Sequence, residues 1–397
     1  MVDMKELTFG IAQIVPEKGL VQKLELATKE KRPLIVKLGM DPTAPDLHLG
    51  HAVVLKKIRQ FQELGHDVVL LIGDFTARIG DPSGRNVTRP PLTEEQIQIN
   101  AKTYVDQLNK IIDVSKVRIA YNSSWLSKQS FADVLKLLST HTLAQMLQRD
   151  EFNNRFTNNL PISLHELVYP LMQGYDSVAL KADIEFGGTD QLFNCVTGKD
   201  VQAAYGMTDT QTVIAMPLLR GMDGIIKMSK SKGNYIGLTE DPNTMYGKAM
   251  SIPDDLIEEW LDLATDFSLE EKSRLRKEAQ KDPMKIKKMI AFNIVQQYHS
   301  EQDANAAELF FYQNVQSRDL NDKAYQLVSF SSLGLTEDAP LLDLCHALLP
   351  EQSKGAIRKI FEGGGIAVNG DKESDPKVSF TLPVKLKIGK RNFFEVA

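Results

Sequence analysis

Three stretches decide the fold: LIVKLG at residues 34–39, HLGHAVVLKKIRQFQEL at 48–64 and VVLLI at 68–72. The first and third are almost wholly apolar, which predicts buried strands. The second has apolar residues at helical spacing, and Gly65 follows as its stop. A strand, a helix and a strand at this spacing form a βαβ unit, so the sequence predicts a parallel sheet. Ligands of such sheets bind beyond the carboxyl ends of the strands.

The remaining chain extends the α/β pattern. Residues 184–186 and 211–219 read as further strands, and 95–160 as mostly helical. A capping box of Ser163 and Glu166 predicts a helix to about Leu180. We therefore predict a Rossmann-like parallel-sheet domain at 1–238, a helical domain at 239–315, a linker at 316–339 and a small α+β domain at 340–397.

Composition limits the possible functions. The 397 residues carry a formal net charge of −5, which argues against a general nucleic-acid binder. No apolar run reaches about 18 residues, and the N-terminus lacks the pattern of a signal peptide. The two cysteines, Cys195 and Cys345, have no metal-ligand spacing and suit reduced thiols. We expect a cytoplasmic protein without a membrane or DNA partner, and no resident metal site.

Two histidines stand at the predicted start of the second stretch. His48 and His51 are three residues apart and share one helical face, with Gly50 allowing close approach to the backbone. Imidazole N–H groups beside a helix N-terminus can hold phosphate oxygens. Taken alone, the pair also fits a metal site lacking a third ligand, or two ordinary surface histidines.

A lysine-rich loop lies much later in the chain. Lys227 and Lys230 flank Met228 and Ser229 in a Gly- and Ser-rich segment. Two ammonium groups there can clamp a leaving pyrophosphate, although a solvated basic loop is the alternative for an isolated match. Together with the histidines and the βαβ unit, the loop predicts binding of a nucleoside triphosphate and attack on its α-phosphate.

Polar residues also recur along the helix that begins near Ser163. Tyr169, Gln173 and Asp176 are spaced i, i+4 and i+7, so they share one face. A polar stripe pointing inward needs a polar ligand, but spacing alone favours a solvent-facing stripe. After the strand at 184–186, a turn at 187–191 places Asp190 either on ribose hydroxyls or merely at a helix start capped by Thr189.

A short basic helix is predicted in the last domain, where nine Lys or Arg face seven Asp or Glu over residues 340–397. A basic helix beside a small sheet can rest on RNA phosphates, and an ordinary helix–hairpin is the alternative. The residues proposed to contact RNA are Ser353, Lys354, Arg358 and Lys359.

These motifs together resemble the bacterial tyrosyl-tRNA synthetases, which are class I aminoacyl-tRNA synthetases. The resemblance spans nearly the whole chain. His48–His51 is similar to the HIGH signature, residues 227–231 match the KMSKS signature, and YPLMQGYD at 169–176 looks like the tyrosine-pocket helix. Residues 340–397 resemble the alpha-L RNA-binding domain, which the related tryptophanyl enzymes lack.

The resemblance implies roles at the nucleotide end. His48, His51 and Thr43 would stabilise the triphosphate in the transition state, and Lys227 and Lys230 would hold the leaving pyrophosphate. The remaining ATP-binding positions implied are Gly39, Asp41, Gly50, Gly188, Asp190, Leu219, Met228 and Ser229.

At the amino-acid end, the resemblance implies that Asp176 accepts the phenolic hydroxyl. Tyr169, Gln173 and Asp81 would take the amino group, with Gln191 near the carboxylate. Lys37 stands where many members of the family have a Tyr, so we expect it to touch the hydroxyl or pair with Asp176, or else to point elsewhere.

The implied function is ATP-dependent ligation of L-tyrosine to tRNA(Tyr) through tyrosyl-adenylate, with Mg²⁺ accompanying ATP and a homodimer as the assembly. A tryptophanyl-tRNA synthetase or another HIGH-type nucleotidyl transferase is the alternative enzyme. A non-catalytic RNA-binding protein is the alternative of a different class, and the intact pair of signatures argues against it.

Overall fold

The computed structural model of the chain describes residues 3–42, 46–81, 93–316, 325–336, 339–389 and 392–397. The chain divides into two units, residues 1–307 and 308–397. The predicted helical segment that begins near residue 240 falls mostly inside the first unit. The four-part division expected from the sequence stays a prediction.

A six-stranded sheet forms the centre of the first unit. Its strands lie in the order β1-β6-β5-β2-β3-β4. They are β1 Gln13–Val15, β2 Ile35–Met40, β3 Asp67–Ile72, β4 Arg118–Tyr121, β5 Ile184–Gly188 and β6 Thr212–Met216. Strands β2 to β6 pair in parallel, and β1 runs antiparallel to β6 at one edge. The predicted Rossmann-like α/β fold is confirmed, with a mixed rather than wholly parallel sheet.

Fifteen α-helices lie among the described residues that precede the sheet of the second unit. They are α1 Met4–Thr8, α2 Gly19–Glu30, α3 Leu49–Glu63, α4 Glu94–Leu108, α5 Ser123–Leu126, α6 Phe131–Leu138, α7 Leu143–Met146, α8 Asp150–Thr157, α9 Leu164–Leu180, α10 Leu192–Ala204, α11 Pro242–Met250, α12 Ile257–Leu263, α13 Leu269–Ala279, α14 Pro283–Tyr298 and α15 Glu301–Phe311. The division between the units falls inside α15.

The β2–α3–β3 unit forms as the sequence predicts. Strands β2 and β3 are parallel neighbours, and α3 connects them. Gly65 takes a positive φ of 82° after α3, a conformation that glycine adopts without strain. On α3, Phe61 is fully buried and its ring packs edge-on against Phe186 of β5, which fixes the helix against the sheet.

Two short strands escape the sequence pattern. Strand β4 lies inside the segment expected to be mostly helical, and β1 lies before the first predicted strand. With four and three residues, they are too short to show a period of two. Pairing with β3 and β6 holds them in place, so tertiary contacts decide their conformation.

The second unit contains a five-stranded sheet in the order β7-β11-β10-β8-β9. Its elements are β7 Gln326–Val328, α16 Leu341–Leu348, α17 Lys354–Glu362, β8 Ile366–Val368, β9 Asp371–Lys372, β10 Val384–Ile388 and β11 Asn392–Val396. Strand β10 buries alternate residues, in step with the alternation of apolar and lysine side chains from Val384 to Ile388. Strand β7 falls in the segment that the sequence assigned to a linker. It pairs in parallel with β11, and this pairing supplies its backbone hydrogen bonds.

Candidate functional site

The strand order reverses beside β2. The chain passes from β2 to β3 and β4 on one side, then returns to β5 and β6 on the other. At such a reversal the loops after neighbouring strands diverge and leave a crevice at their carboxyl ends. The predicted site residues of the first unit that the structure describes lie on the strand ends, loops and helices of this region, except Lys37, which lies within β2.

Backbone pairing brings the two signature segments together. His48 forms an isolated antiparallel bridge with Gly237, six residues after the second signature ends at Ser231. The Leu49 N–H donates to the Ile236 carbonyl at 3.0 Å, and the Leu238 N–H donates to the Leu47 carbonyl at 3.0 Å. The histidine and lysine motifs therefore lie at the same edge of the sheet, although strands β3 to β6 come between them in sequence.

The two histidines are arranged as neutral donors. His48 caps α3, and its Nδ1 accepts the Gly50 N–H at 3.1 Å, while Nδ1 of His51 accepts the His48 N–H at 3.2 Å. Since each Nδ1 is an acceptor, each Nε2 carries the proton. Burial, and then the charge of His51, lowers the pKa of His48 to about 2, and burial with nearby Lys230 lowers the pKa of His51 to about 4. Both rings are uncharged hydrogen-bond donors at neutral pH.

Each signature lysine meets a carboxylate. Nζ of Lys227 lies 2.6 Å from Asp190 Oδ2, and Nζ of Lys230 lies 3.1 Å from Asp46 Oδ2. Their loop is anchored by Asn234, whose side-chain oxygen accepts the Ser229 N–H at 2.8 Å. The ammonium groups remain partly exposed, so an anionic ligand can compete with these carboxylates.

Three glycines leave room around the crevice. A Cβ at Gly39 would have no atom within 4 Å, so the end of β2 faces open space. A Cβ at Gly188 would stand 2.6 Å from Asp190 Oδ1, and one at Gly50 would stand 3.0 Å from the His48 ring. Gly188 thus allows the Asp190 carboxylate to lie against the backbone. Thr189 does not cap the following helix, because Gln191 occupies the N-cap of α10.

Apolar side chains line the second signature loop. Leu219 and Met228 are buried, and the Met228 N–H donates to the Leu219 carbonyl at 2.8 Å. Met228 also lies 3.7 Å from the position of a Cβ at Gly50. The loop therefore packs over the start of α3 through apolar contacts as well as through its lysines.

The polar stripe of α9 points inward. Tyr169 and Asp176 are buried, so the solvent-facing alternative is wrong for them. The Tyr169 hydroxyl donates to Asp41 Oδ2 at 2.8 Å. Asp176 accepts from Trp125 Nε1 at 2.8 Å and from Asn122 Nδ2 at 3.3 Å. A buried polar stripe that is already hydrogen-bonded on one side forms a wall that a polar ligand can complete.

Burial changes the protonation of this wall. It raises the pKa of Asp176 to about 7, against the opposing effects of the Lys37 charge and of the Trp125 and Asn122 hydrogen bonds. Burial and the neighbouring Asp41 charge raise the pKa of Tyr169 well above its usual value, so its hydroxyl stays protonated. Carboxyl groups at Asp41, Asp81 and Asp176 surround this part of the crevice, which suits a ligand bearing an ammonium group and a hydroxyl.

Lys37 neither reaches solvent nor contacts Asp176. Its side chain is fully buried, and Nζ lies 2.9 Å from Glu185 Oε1. It also donates to Ser177 Oγ at 2.7 Å and to the Gln173 carbonyl at 3.1 Å. Of the outcomes expected from the sequence, pairing with Asp176 is wrong, because Glu185 on the adjoining strand takes the ammonium group.

Gln191 and Asp81 meet on the opposite side of the crevice. Gln191 Nε2 donates to Asp81 Oδ2 at 2.6 Å, and Asn194 Nδ2 donates to Gln191 Oε1 at 3.1 Å. Arg149 Nη2 lies 3.6 Å from Asp81 Oδ1, and Nη1 donates to Asn194 Oδ1 at 2.9 Å. The network gives both predicted residues fixed orientations.

Sequence reasoning missed Asn122, Trp125 and Glu185. The first two follow β4, inside the segment expected to be mostly helical, so no strand end was predicted there. Glu185 sits in an otherwise apolar strand, as Lys37 does, and two opposite charges in two buried strands are a signal of pairing. Thr43 lies outside the described residues.

Among the described residues, no group of three or more His, Cys, Asp or Glu side chains is placed to hold a metal ion. In the same part of the chain, no helix has the length and hydropathy needed to cross a bilayer.

The basic helix of the second unit presents its predicted residues to solvent. Ser353, Lys354, Arg358 and Lys359 are exposed, while Ile357 and Phe361 are buried on the other face of α17. Ser353 caps α17 by accepting the Ala356 N–H at 3.2 Å, and Lys354 Nζ lies 2.6 Å from Asp343 Oδ1. Arg358 and Lys359 are thus displayed from a rigid, amphipathic helix.

Comparison with known proteins identifies similar chains. The family model described as tRNA synthetases class I (W and Y) matches residues 28–315. A tyrosine-tRNA ligase of Aquifex aeolicus is 46% identical over 399 residues, covering 98% of this chain and 96% of its own. Tyrosine-tRNA ligase 2 of Photorhabdus laumondii is 48% identical over 398 residues, covering 99% of each.

Solved structures resemble the fold. A truncated mitochondrial tyrosyl-tRNA synthetase of Aspergillus nidulans has a TM-score of 0.64 at 24% identity, over 78% of this chain and 92% of its own. The Archaeoglobus fulgidus tyrosyl-tRNA synthetase complexed with L-tyrosine has a TM-score of 0.60 at 23% identity, over 76% of this chain and 97% of its own. At these identities the likeness concerns the fold.

Proposed function

The chain belongs to the class I tRNA synthetases, among the tyrosine-tRNA ligases, and on that premise we propose how its crevice performs the reaction. The enzyme ligates L-tyrosine to tRNA at the expense of ATP. In the first step the tyrosine carboxylate attacks the α-phosphate, the bond to the β-phosphate breaks, and tyrosyl-adenylate and pyrophosphate form. In the second, a terminal ribose hydroxyl of tRNA takes the tyrosyl group and AMP leaves.

One observation carries the proposal: two neutral histidines, two exchangeable lysines and an inward polar stripe meet at one sheet edge. The first two sets suit a polyphosphate, and the third suits an amino acid with a hydroxyl. A non-catalytic RNA-binding protein would need none of this arrangement.

The phosphate end acts by stabilising charge. Nε2–H of His48 and of His51 donates to oxygens of the reacting phosphates, and Lys227 and Lys230 leave Asp190 and Asp46 to hold the departing pyrophosphate. Neutral histidines suit this role because they stay donors throughout the physiological range of pH. Thr43, by the family resemblance, is proposed to assist them.

The nucleoside lies on the open floor of the crevice. Gly39, Gly50 and Gly188 provide the close approach, and Asp190 accepts from ribose hydroxyls once Lys227 has moved to phosphate. The other positions proposed to bind ATP are Asp41, Leu219, Met228 and Ser229. Mg²⁺ would be held mainly by the phosphates, with one or two carboxylates of the crevice.

The amino-acid end selects tyrosine. The ammonium group lies among Tyr169, Gln173 and Asp81, with Gln191 near the carboxylate. Asp176 accepts the phenolic hydroxyl, held in place by Trp125 and Asn122. Phenylalanine would leave these buried groups without a partner, which is the physical basis of selection.

The second unit supplies an RNA contact. We assign Ser353, Lys354, Arg358 and Lys359 to the tRNA backbone, and residues 239–315 to anticodon binding. Replacing Arg358 and Lys359 by Glu should weaken tRNA charging and leave tyrosine-dependent exchange of pyrophosphate unchanged, since the first step needs no RNA. A matched double variant, Lys18→Glu/Lys29→Glu, removes two exposed lysines of the first unit and should leave both reactions intact. Equal loss in both reactions would contradict the assignment.

Exposed apolar side chains on α6–α9 support the proposal of a homodimer. Phe131, Leu143, Phe156 and Leu164 are large apolar side chains that are at least 60% exposed within 34 residues of sequence. Exposed apolar residues grouped in this way indicate an interface. Phe131→Glu/Leu164→Glu should yield monomers in sedimentation analysis, whereas Val21→Glu on α2 should not. A monomeric native protein would contradict the proposal.

The protein is proposed to work in the cytoplasm, where tRNA is charged for translation, with tRNA rather than DNA as its nucleic-acid partner. Its two cysteines are free thiols in the structure, as a reducing compartment requires. Cell fractionation tests the location.

The central experiment is amino-acid-dependent exchange of pyrophosphate into ATP by the purified chain. Tyrosine should support exchange, with phenylalanine and tryptophan far weaker. Exchange with tryptophan but not tyrosine would favour the tryptophanyl alternative. Exchange with no amino acid would contradict the catalytic assignment.

A further inference from the structure

A buried ion pair joins the two strands at which the chain reverses. Lys37 of β2 and Glu185 of β5 are register partners, and their charged groups lie 2.9 Å apart with 0% and 1% of the side chains exposed. Neither the ammonium group of Lys37 nor the carboxylate of Glu185 is exposed to the crevice. Burying two charges is costly and is seldom needed for stability, so the pair calls for a role in the site.

The further hydrogen-bond partners of the pair lie on α9, apart from Gln211, which directly precedes β6. Lys37 donates to the Gln173 carbonyl and to Ser177 Oγ. Glu185 accepts from Gln173 Nε2 and Ser177 Oγ, both at 3.2 Å, and from Gln211 Nε2. The pair therefore holds one turn of α9 at both of its ends, and Asp176 lies within that turn.

We propose that Lys37 and Glu185 form a positioning pair that sets the orientation of Gln173 and Asp176 and thereby the selectivity for a hydroxyl-bearing aromatic amino acid. The inference rests on the proposed function of the crevice. The specificity of the polar residues of α9 would then depend on two buried charges, which contact α9 rather than the substrate.

The two charges also balance the field at Asp176. Lys37 lowers the pKa of that carboxyl and Glu185 raises it, while Tyr169 of the same helix stays neutral because burial raises the pKa of its hydroxyl. Cys195 of α10, which Gln173 approaches at 3.9 Å, is also neutral because burial raises its pKa. Removing one member of the pair must then shift the pKa of Asp176 in the direction opposite to removing the other.

The test compares Lys37→Met, Glu185→Gln and the apolar double variant Lys37→Met/Glu185→Leu in the full chain. Tyrosine affinity is measured by calorimetry without ATP, and kcat and KM by pyrophosphate exchange. Either single variant should lower kcat/KM for tyrosine by roughly tenfold to a hundredfold, because a displacement of about 1 Å costs about 10²-fold. The KM for ATP should stay unchanged, and the ratio of kcat/KM for tyrosine to kcat/KM for phenylalanine should fall.

The pH profiles supply a signature that loss of stability alone would not produce. The midpoint of tyrosine kcat/KM should move above the wild-type value in Lys37→Met and below it in Glu185→Gln. The double variant should regain the wild-type Tm, since it buries no lone charge, yet keep a raised KM for tyrosine because Gln173 has lost its anchor.

The matched control is Lys23→Met, which removes another buried lysine, paired with Asp209 and Asp183 away from the crevice. It should lower Tm and leave the KM for tyrosine unchanged. Recovery of both Tm and tyrosine KM in the double variant, or unshifted pH profiles in the single variants, would overturn the proposal. If a single variant does not fold, the double variant still decides whether the pair positions the site or only stabilises the fold.

The proposed function can fail separately. A wild-type chain that binds tyrosine without exchanging pyrophosphate would contradict the reaction, and the affinities of the variants would still test the pair. A wild-type chain that binds no tyrosine would overturn both proposals.

Discussion

The two ends of the crevice are built on different principles. At the phosphate end, Lys227 and Lys230 pair with Asp190 and Asp46 in contacts whose members are 21% to 45% exposed. At the amino-acid end, Lys37 and Glu185 pair with almost no exposure, and Asp176 is fixed by two donors. The exposed lysines of the phosphate end can exchange their carboxylate partners for a ligand. The buried groups of the amino-acid end cannot do so without disrupting the packing around them.

This difference separates the two tasks of the enzyme. Groups that stabilise a transition state are most useful when they engage charge as it develops, and solvent-accessible ion pairs exchange easily. Groups that select a side chain are most useful when they are already in place, because a wrong substrate then leaves buried partners unsatisfied. Variants at the two ends should therefore fail in different kinetic parameters.

The largest effect is expected at the phosphate end. His51→Ala or Lys230→Ala should lower the rate of adenylate formation by about 10²–10³-fold, the usual cost of losing one donor to developing charge. The KM for ATP should change little, because the lost contact belongs to the transition state. Single-turnover kinetics measures both, with His141→Ala as the control at a histidine paired elsewhere, with Asp200. An unchanged rate of adenylate formation in both variants would contradict the proposal that the phosphate end of the crevice acts on the transition state.

A smaller effect with a different pattern is expected at Asp176. Asp176→Ala should raise the KM for tyrosine and cost about 1–3 kcal/mol of transition-state binding, the range for a lost buried hydrogen bond to a charged group. Phenylalanine should be affected less, so the ratio of the two kcat/KM values should fall. Asp209→Ala, at an exposed carboxylate that pairs with Lys23, is the control. Equal losses for the two amino acids would show that Asp176 serves packing alone.

The pH dependence should separate the ends further. Since the pKa of Asp176 is raised to about 7, kcat/KM for tyrosine should rise with pH up to about that value and then level off. The histidines, with pKa values of about 2 and 4, should add no inflection above pH 5. Asp176→Asn should flatten the profile. A persistent inflection in that variant would locate the titrating group elsewhere.

The same group links pH to stability. Between its ordinary pKa of 3.8 and the folded value of about 7, the folded chain keeps a proton that the unfolded chain has released. The contribution of Asp176 to stability is therefore greatest below pH 3.8 and is lost as pH rises through about 7. Comparing how the Tm of wild type and Asp176→Asn changes with pH isolates this contribution from those of the other acids.

The smallest effect is expected at Asp46. Asp46→Asn frees Lys230 from an ion pair that is partly exposed and so worth at most about 1 kcal/mol, or about fivefold in affinity. The rate of adenylate formation should rise by up to that factor with little change in the KM for ATP, since the departing pyrophosphate no longer competes with the Asp46 carboxylate for Lys230. Asp254→Asn, which releases Lys287, is the matched control. A rise in the KM for ATP would mean that Asp46 assists binding instead.

Local pattern was sufficient for much of the fold. The apolar runs at β2 and β3, the helical spacing of α3 and the alternation in β10 all appear in short windows, and each element formed there. Strands β1, β4 and β7 were not predictable in this way. They are only three or four residues long, too short to show a period of two, and pairing with strands distant in sequence holds them.

The sequence by itself determined the residue types of the site: paired histidines, a lysine loop and a polar stripe on one helix. Only the tertiary structure decided that the stripe faces inward, that both histidines are neutral, and that Lys37 meets Glu185 instead of Asp176. The physical reason is that spacing along the chain fixes which side chains share a face, whereas burial, protonation and charge pairing depend on what the neighbouring strands and helices bring to that face.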